Sequence, residues 1–257
     1  MPARFHITDV PGHPPAIRKA GDPGAIAREV AALELLADRD WTPALVGHGS
    51  GWMVSRRLPG EPRPVATATP SELRRLGALL RELHEVRRAA AGGLWWWPAP
   101  AGTLAGYRRA RAEDAERMLA GGPDAGLARR AAAAAEAAGE DEGPDPFRLL
   151  HGDLVESNVV WGPAGPALVD WEFSRMGDPA EDLAYLAETN ALGAPGLWAL
   201  LDGYDLAGMA ERLEGWRALV AADAGAWYLA EGLVDEGARM LARARSVPAS
   251  GAARRPG

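Results

Sequence analysis

The chain has 257 residues, 47% of them hydrophobic and 25% charged, which is enough apolar material to bury a core and too much for a disordered chain. It has no cysteine, which excludes a disulfide scaffold, a thiolate metal site, an iron–sulfur cluster and a cysteine nucleophile. The formal net charge of -7 argues against a nucleic-acid partner.

In chain order, residues 5–10 and 16–19 are apolar runs on either side of Pro11-Gly12-His13, the pattern of two strands and a turn. Gly21-Asp22-Pro23 supplies an N-cap and a first-turn proline for a helix to about residue 38, along which Ile26, Val30, Leu33 and Leu36 recur at helical spacing. Two further strands are expected at 44–46 and 52–58, turning at 49–51. The Pro-rich stretch from Pro59-Gly60 marks a boundary between a small nucleotide-binding lobe, 1–60, and a helical catalytic and substrate lobe, 61–245; 246–257 reads as a flexible tail. Thr69-Pro70-Ser71-Glu72 is a capping box, followed by a stripe of Leu73, Leu76, Leu80 and Leu83 that ends near His84. Helices are expected at 103–120, 124–138, 179–190, 195–203 and 206–244, the last broken once, with short β pieces at 158–161 and 167–171. A basic start with an apolar run behind it is missing, as is any 18-residue apolar window, so neither a signal peptide nor a membrane span is expected and the cytoplasm is the expected location.

The segment LHGDLVESNVVWGPAGPALVDWEFSRMGDPAEDLA, 150–184, carries the chemistry. Asp153 and Asn158 are five apart on an expected loop, and Asp170 lies twelve further on at the end of an apolar strand. Phosphoryl transfer needs a carboxylate to take the proton of an attacking hydroxyl, and oxygen ligands to hold Mg²⁺ against the β- and γ-phosphates. These three side chains supply that set in the order of the kinase pattern.

HGDLVESN, LVDWE and GDPAEDLA together resemble the aminoglycoside phosphotransferase family, with its choline-kinase-like and homoserine-kinase-like relatives, over roughly residues 16–190. The resemblance implies an α+β, protein kinase-like two-lobed fold with a reduced N-terminal β-sheet lobe and a mostly helical C-terminal lobe. It implies Asp153 as catalytic base, Asn158 and Asp170 as Mg²⁺ ligands, His151 as the residue orienting the loop, Asp182 as its anchor, and Asp178 as a structural residue opening a capping box with Pro179 and Glu181. The implied reaction moves the γ-phosphoryl of ATP or GTP to a hydroxyl of a small molecule such as an amino sugar or amino alcohol. The competing reading is a kinase-like binding protein with a truncated nucleotide lobe, because only some 15 residues precede the strand at 16–19.

The family needs a basic residue on that strand, paired to a helix glutamate; the match is Arg18 or Lys19 with Glu29. Neighbouring strand residues face opposite ways, so only one of the two can reach the nucleotide. Lys19 is the sole lysine among 28 basic residues, which favours it; the alternative leaves Lys19 exposed and pairs Arg18 with Glu29. Trp95-Trp96-Trp97 and the acidic stretch 139–146 are expected to be a hydrophobic staple and a solvated loop. Trp216, Trp227 and Tyr228 are expected in the core, His84 as a satisfied structural histidine, and Glu172 receives no role.

Overall fold

A computed structural model describes residues 6–11, 15–87, 103–137 and 146–247, with the side chains of 134–137 left aside. The turn at 12–14, the three consecutive tryptophans, the acidic stretch apart from Pro146, and the tail beyond 247 lie outside these residues.

The N-terminal part is a four-stranded antiparallel sheet built from β1 (His6–Val10), β2 (Ala16–Ala20), β3 (Leu45–Gly49) and β4 (Trp52–Arg56), in the order β1-β2-β4-β3. Helix α1 (Pro23–Leu35) starts where its cap dictates: Asp22 accepts a hydrogen bond from the Ala25 amide at 2.7 Å and Pro23 opens the first turn. Its apolar stripe (Ile26, Val30, Leu33) is buried together with Leu36. The register pairs Ile7 with Lys19 and Lys19 with Met53, so these three side chains share one face of the sheet.

The rest is mostly helical. Helix α2 (Pro70–Leu83) begins with the expected capping box, both halves of which form at Thr69 and Glu72, and Leu73, Leu76, Leu80 and Leu83 are buried. Glycines let α2 approach α6 (Ala194–Tyr204) backbone to backbone: a Cβ on Gly77 would lie 2.0 Å from the Leu200 carbonyl oxygen, and one on Gly203 1.9 Å from that of Arg74. Helices α3 (Leu104–Met118), α4 (Leu127–Ala137), α5 (Pro179–Thr189), α7 (Met209–Ala230) and α8 (Val234–Ser246) complete this part, the break between α7 and α8 falling inside the single long helical stretch expected. Trp216 is fully buried, but Trp227 is 40% exposed, correcting its expected place in the core: it sits in the last turn of α7, where the helix runs out into solvent.

Two small sheets carry the segment rich in Asp and Asn. Strand β5 (Glu61–Pro62) pairs with β7 (Val159–Gly162), which pairs with β8 (Gly165–Leu168); β6 (Arg148–Leu150) pairs with β9 (Arg175–Gly177). Strands β5, β6 and β9 were not expected, since two or three residues are too few for an alternating pattern to register. Among the described residues, no helix is long and apolar enough to cross a membrane.

Gly203→Ala drives a methyl group into the α2 backbone, so it is expected to lower the unfolding free energy by about 1–3 kcal/mol, read as a lower urea midpoint with unchanged slope.

Candidate active site

Residues 151–158 leave β6 and cross to β7 as a tight loop. Gly152 has φ +83, and a Cβ there would lie 2.2 Å from Arg175 Nη1 and 2.3 Å from the Phe173 carbonyl oxygen, so only glycine fits. The buried carboxylate of Asp182, in the first turn of α5, accepts the His151 amide at 2.8 Å and the Gly152 amide at 2.9 Å. It also faces His84 Nε2 at 3.2 Å, and His84 Nδ1 faces the Tyr204 hydroxyl at 2.9 Å. A carboxylate cannot donate, so Nε2 of His84 carries a proton toward Asp182. Burial works against the Asp182 charge, but His84, His151 and the Gly152 amide outweigh it and hold this carboxyl below its usual range. His84 is thus satisfied as expected, and Asp182 ties down the loop's backbone.

That backbone presents Asp153. Its Oδ2 accepts from Asn158 Nδ2 at 2.9 Å, and Asn158 Nδ2 also reaches the Asp153 carbonyl oxygen at 2.9 Å. Its Oδ1 accepts from the Tyr185 hydroxyl at 3.1 Å. Burial pushes the Asp153 carboxyl up, with Asp170 adding to the rise, while His151, Tyr185 and Asn158 favour the charged form. The His151 ring spans the site: Nδ1 accepts the Asp153 amide at 3.3 Å and Nε2 donates to the Val169 carbonyl at 2.9 Å.

The β7–β8 hairpin brings Asn158 and Asp170 together. Val159 pairs with Leu168, and the next rung is the Val169 amide donating to the Asn158 carbonyl at 3.1 Å. Asp170 follows at φ +67, a left-handed conformation tolerated by aspartate and uncommon for a residue with a Cβ. It therefore lies just past the strand rather than on its end, and its side chain stays 41% exposed beside the buried Trp171.

Lys19 is 7% exposed, and its ammonium touches three carboxylates: Glu29 Oε2 at 2.8 Å, Glu172 Oε2 at 2.9 Å, and Asp170 Oδ1 in a short contact. Arg18 faces outward, 5.8 Å from the Trp52 ring. The alternative with Arg18 on Glu29 is therefore overturned, for the strand's alternation sends the arginine to solvent. Burial penalises the Lys19 ammonium, but Glu29 and Asp170 more than compensate and raise its pKa. Burial pushes both Glu29 and Glu172 up, with Lys19 opposing the rise. Glu172, given no role by the sequence, is a partner of the lysine, and Arg28 Nε steadies its carbonyl at 2.9 Å.

Glu29, Asp170 and Glu172 each offer an oxygen within 4.8 Å of the others, but Lys19 bonds all three and occupies the space between them. The donors left for a hard cation are the outer oxygen of Asp170 and the Asn158 amide oxygen, whose neighbour is Ser157 Oγ at 3.2 Å. Oxygen donors and carboxylates outnumbering ammonium groups suit Mg²⁺, which keeps several waters and needs only one or two protein ligands.

Asp178 caps α5 through the Ala180 amide at 3.0 Å and is buried against Arg108, Arg212 and Trp216. The expected capping box there does not form, because Asp178 takes the Ala180 amide and not that of Glu181. Glu181 turns away to Tyr107 at 2.6 Å, Arg175 at 2.7 Å and Arg111 at 2.8 Å, because buried guanidinium groups need a carboxylate more than an N-terminal amide does. Tyr185 is the site residue that sequence reasoning missed; its only signal is a position three residues beyond Asp182 on the same helix.

The model of the phosphotransferase enzyme family matches residues 14–220. The chain belongs to this family. It is 36% identical over 78 residues to the viomycin phosphotransferase of Streptomyces vinaceus, a stretch that covers 28% of this chain and 27% of that protein. In structure, the chain is similar to a choline/ethanolamine kinase family protein from Mesorhizobium loti, with a TM-score of 0.69 at 20% identity over 96% of this chain and 88% of that one. It is also similar to the GDP complex of an aminoglycoside 2′-phosphotransferase, with a TM-score of 0.72 at 15% identity over 96% and 90% of the two chains. The fold is the protein kinase-like, two-lobed α+β arrangement expected from the sequence.

Lys19→Met strands the buried Glu29 and is expected to cost about 3–5 kcal/mol of unfolding free energy near neutral pH. Without the ammonium, the folded pKa of Glu29 rises further above its unfolded value. A raised carboxyl contributes stability at low pH that is lost as pH rises through the folded value, so the variant's deficit against wild type should be smaller at about pH 5 than at about pH 8 in paired urea titrations.

Proposed function

We propose that this phosphotransferase moves the γ-phosphoryl group of ATP or GTP, with Mg²⁺, to a hydroxyl of a small molecule such as an amino sugar or amino alcohol, in the cytoplasm. The observation that carries the reading is the half-buried Asp153 carboxylate, held by Asn158 and Tyr185 beside Asp170. In the reaction, Asp153 takes the hydroxyl proton as the hydroxyl oxygen bonds to the γ-phosphorus, and the bond from that phosphorus to the nucleoside diphosphate oxygen breaks. Lys19, held by Glu29, binds the nucleotide phosphates from the small lobe of residues 1–60. Asn158 and Asp170 would hold Mg²⁺, which would supply charge neutralisation for the nucleotide phosphates. His151, Asp178 and Asp182 keep the loop and α5 in register behind the base.

Support comes from several sides. Asp153, Asn158, Asp170, Lys19 and Glu29 converge in one region, which a protein that had given up nucleotide chemistry would have no reason to retain. Family membership, a relative named for phosphorylating viomycin, a neighbour named for choline or ethanolamine, and a neighbour crystallised with GDP all point to a nucleotide donor and a small acceptor. The formal charge of -7 and the acidic site suit a cationic acceptor rather than nucleic acid.

Asp153→Asn should fold with an unchanged melting temperature and lose at least about 100-fold in turnover, measured as nucleotide consumption over a panel of hydroxylated amines and sugars. Turnover near wild type would remove Asp153 from the mechanism. Mg-ATP at about 100 times its Kd should stabilise the wild type by about 2.7 kcal/mol; no stabilisation by ATP or GTP would favour a binding protein that does not use nucleotides.

A further inference from the structure

Helix α5 meets the loop at 151–154 one residue after another. Asp182 accepts the amides of His151 and Gly152, the Tyr185 hydroxyl donates to Asp153 Oδ1, and Asn190 Nδ2, just past the helix end, donates to the Leu154 carbonyl at 2.8 Å. Three of these four contacts hold backbone that any side chain would leave in place. The tyrosine alone holds the carboxylate itself. Asp153 Oδ2 is taken by Asn158 and Oδ1 by Tyr185, so each oxygen has one donor from a different direction, and rotation about the Cβ–Cγ bond breaks both.

We infer that Tyr185 is a positioning residue that fixes the orientation of the Asp153 carboxylate toward the attacking hydroxyl, an inference that rests on the proposed role of Asp153 as base. Burial together with the neighbouring Asp153 charge keeps the phenol protonated, so it stays a donor. Packing alone does not call for the hydroxyl: a phenylalanine would fill the same half-buried space on α5. Precise orientation matters because a carboxylate turned out of line loses much of the rate that positioning supplies.

The test is Tyr185→Phe, alone and combined with Asp153→Asn, assayed by ADP release from Mg-ATP with ethanolamine as acceptor and with water alone, alongside a crystal structure of the single variant. Tyr185→Phe is expected to lower kcat roughly tenfold, the lower end of what a hydrogen bond to a charged group contributes, with KM for Mg-ATP unchanged. On the Asp153→Asn background it should cost nothing further, because a group acting through Asp153 has nothing left to act on. In the crystal, the carboxylate should occupy a second orientation with the Asn158 contact broken in part of the molecules. An unmoved single Asp153 conformer, an unchanged kcat, or a loss that multiplies with that of Asp153→Asn would each overturn the inference. Full activity of Asp153→Asn would instead strike the reading of Asp153 as base. If neither acceptor gives measurable turnover, the crystal structure decides the positioning claim.

Discussion

The site depends on one buried ammonium. Lys19 stands on β2, and its three carboxylate partners come from α1 and from the turn after β8, so a single side chain ties the four-stranded sheet to the segment that carries Asp170. At an effective dielectric of about 20, each carboxylate at contact distance is worth about 4 kcal/mol of attraction before desolvation is counted. Desolvation takes much of this back, which is why the contact fixes geometry more than it adds net stability. Three carboxylates around one point also explain why this position is a lysine in a chain otherwise furnished with arginine. A compact ammonium can face three partners in different directions, whereas a planar guanidinium favours paired contacts in its own plane.

A second constraint holds the other half of the site. Asp182 is buried, yet it keeps its charge because the His84 ring and two loop amides surround it. His84 comes from the end of α2 and Tyr204 from the end of α6, so the tight glycine-mediated packing of those helices sets where Asp182 can point. His151 then links this anchored loop to the carbonyl just before Asp170. Asp153 and Asp170 are thereby set by one connected set of hydrogen bonds rather than by separate supports.

Much of this was legible in the sequence where chemistry is local. Asp22-Pro23 and Thr69 to Glu72 fixed two helix starts because caps act within four residues. The family resemblance pointed to a basic residue on β2 paired with Glu29, and strand alternation and a lone lysine narrowed the basic residue to Lys19. What escaped was set by tertiary partners. Glu172 gained its role from a lysine 153 positions earlier, and Tyr185 from an aspartate 32 positions away. The cap expected at Glu181 was lost to arginines on α3 and β9, and three-residue strands such as β6 exist only because the opposite strand is there to pair.

In the proposed reaction, the oxygens of Asn158 and Asp170 would complete a divalent-ion site once nucleotide binds, with the lysine cluster alongside. The most direct measurement is calorimetric titration of ATP with and without Mg²⁺ into the wild type and into Asp170→Asn. The expected result is binding to the wild type that strengthens when Mg²⁺ is present, and a variant in which that dependence is lost. Equal ATP affinity with and without Mg²⁺ in both proteins would contradict it.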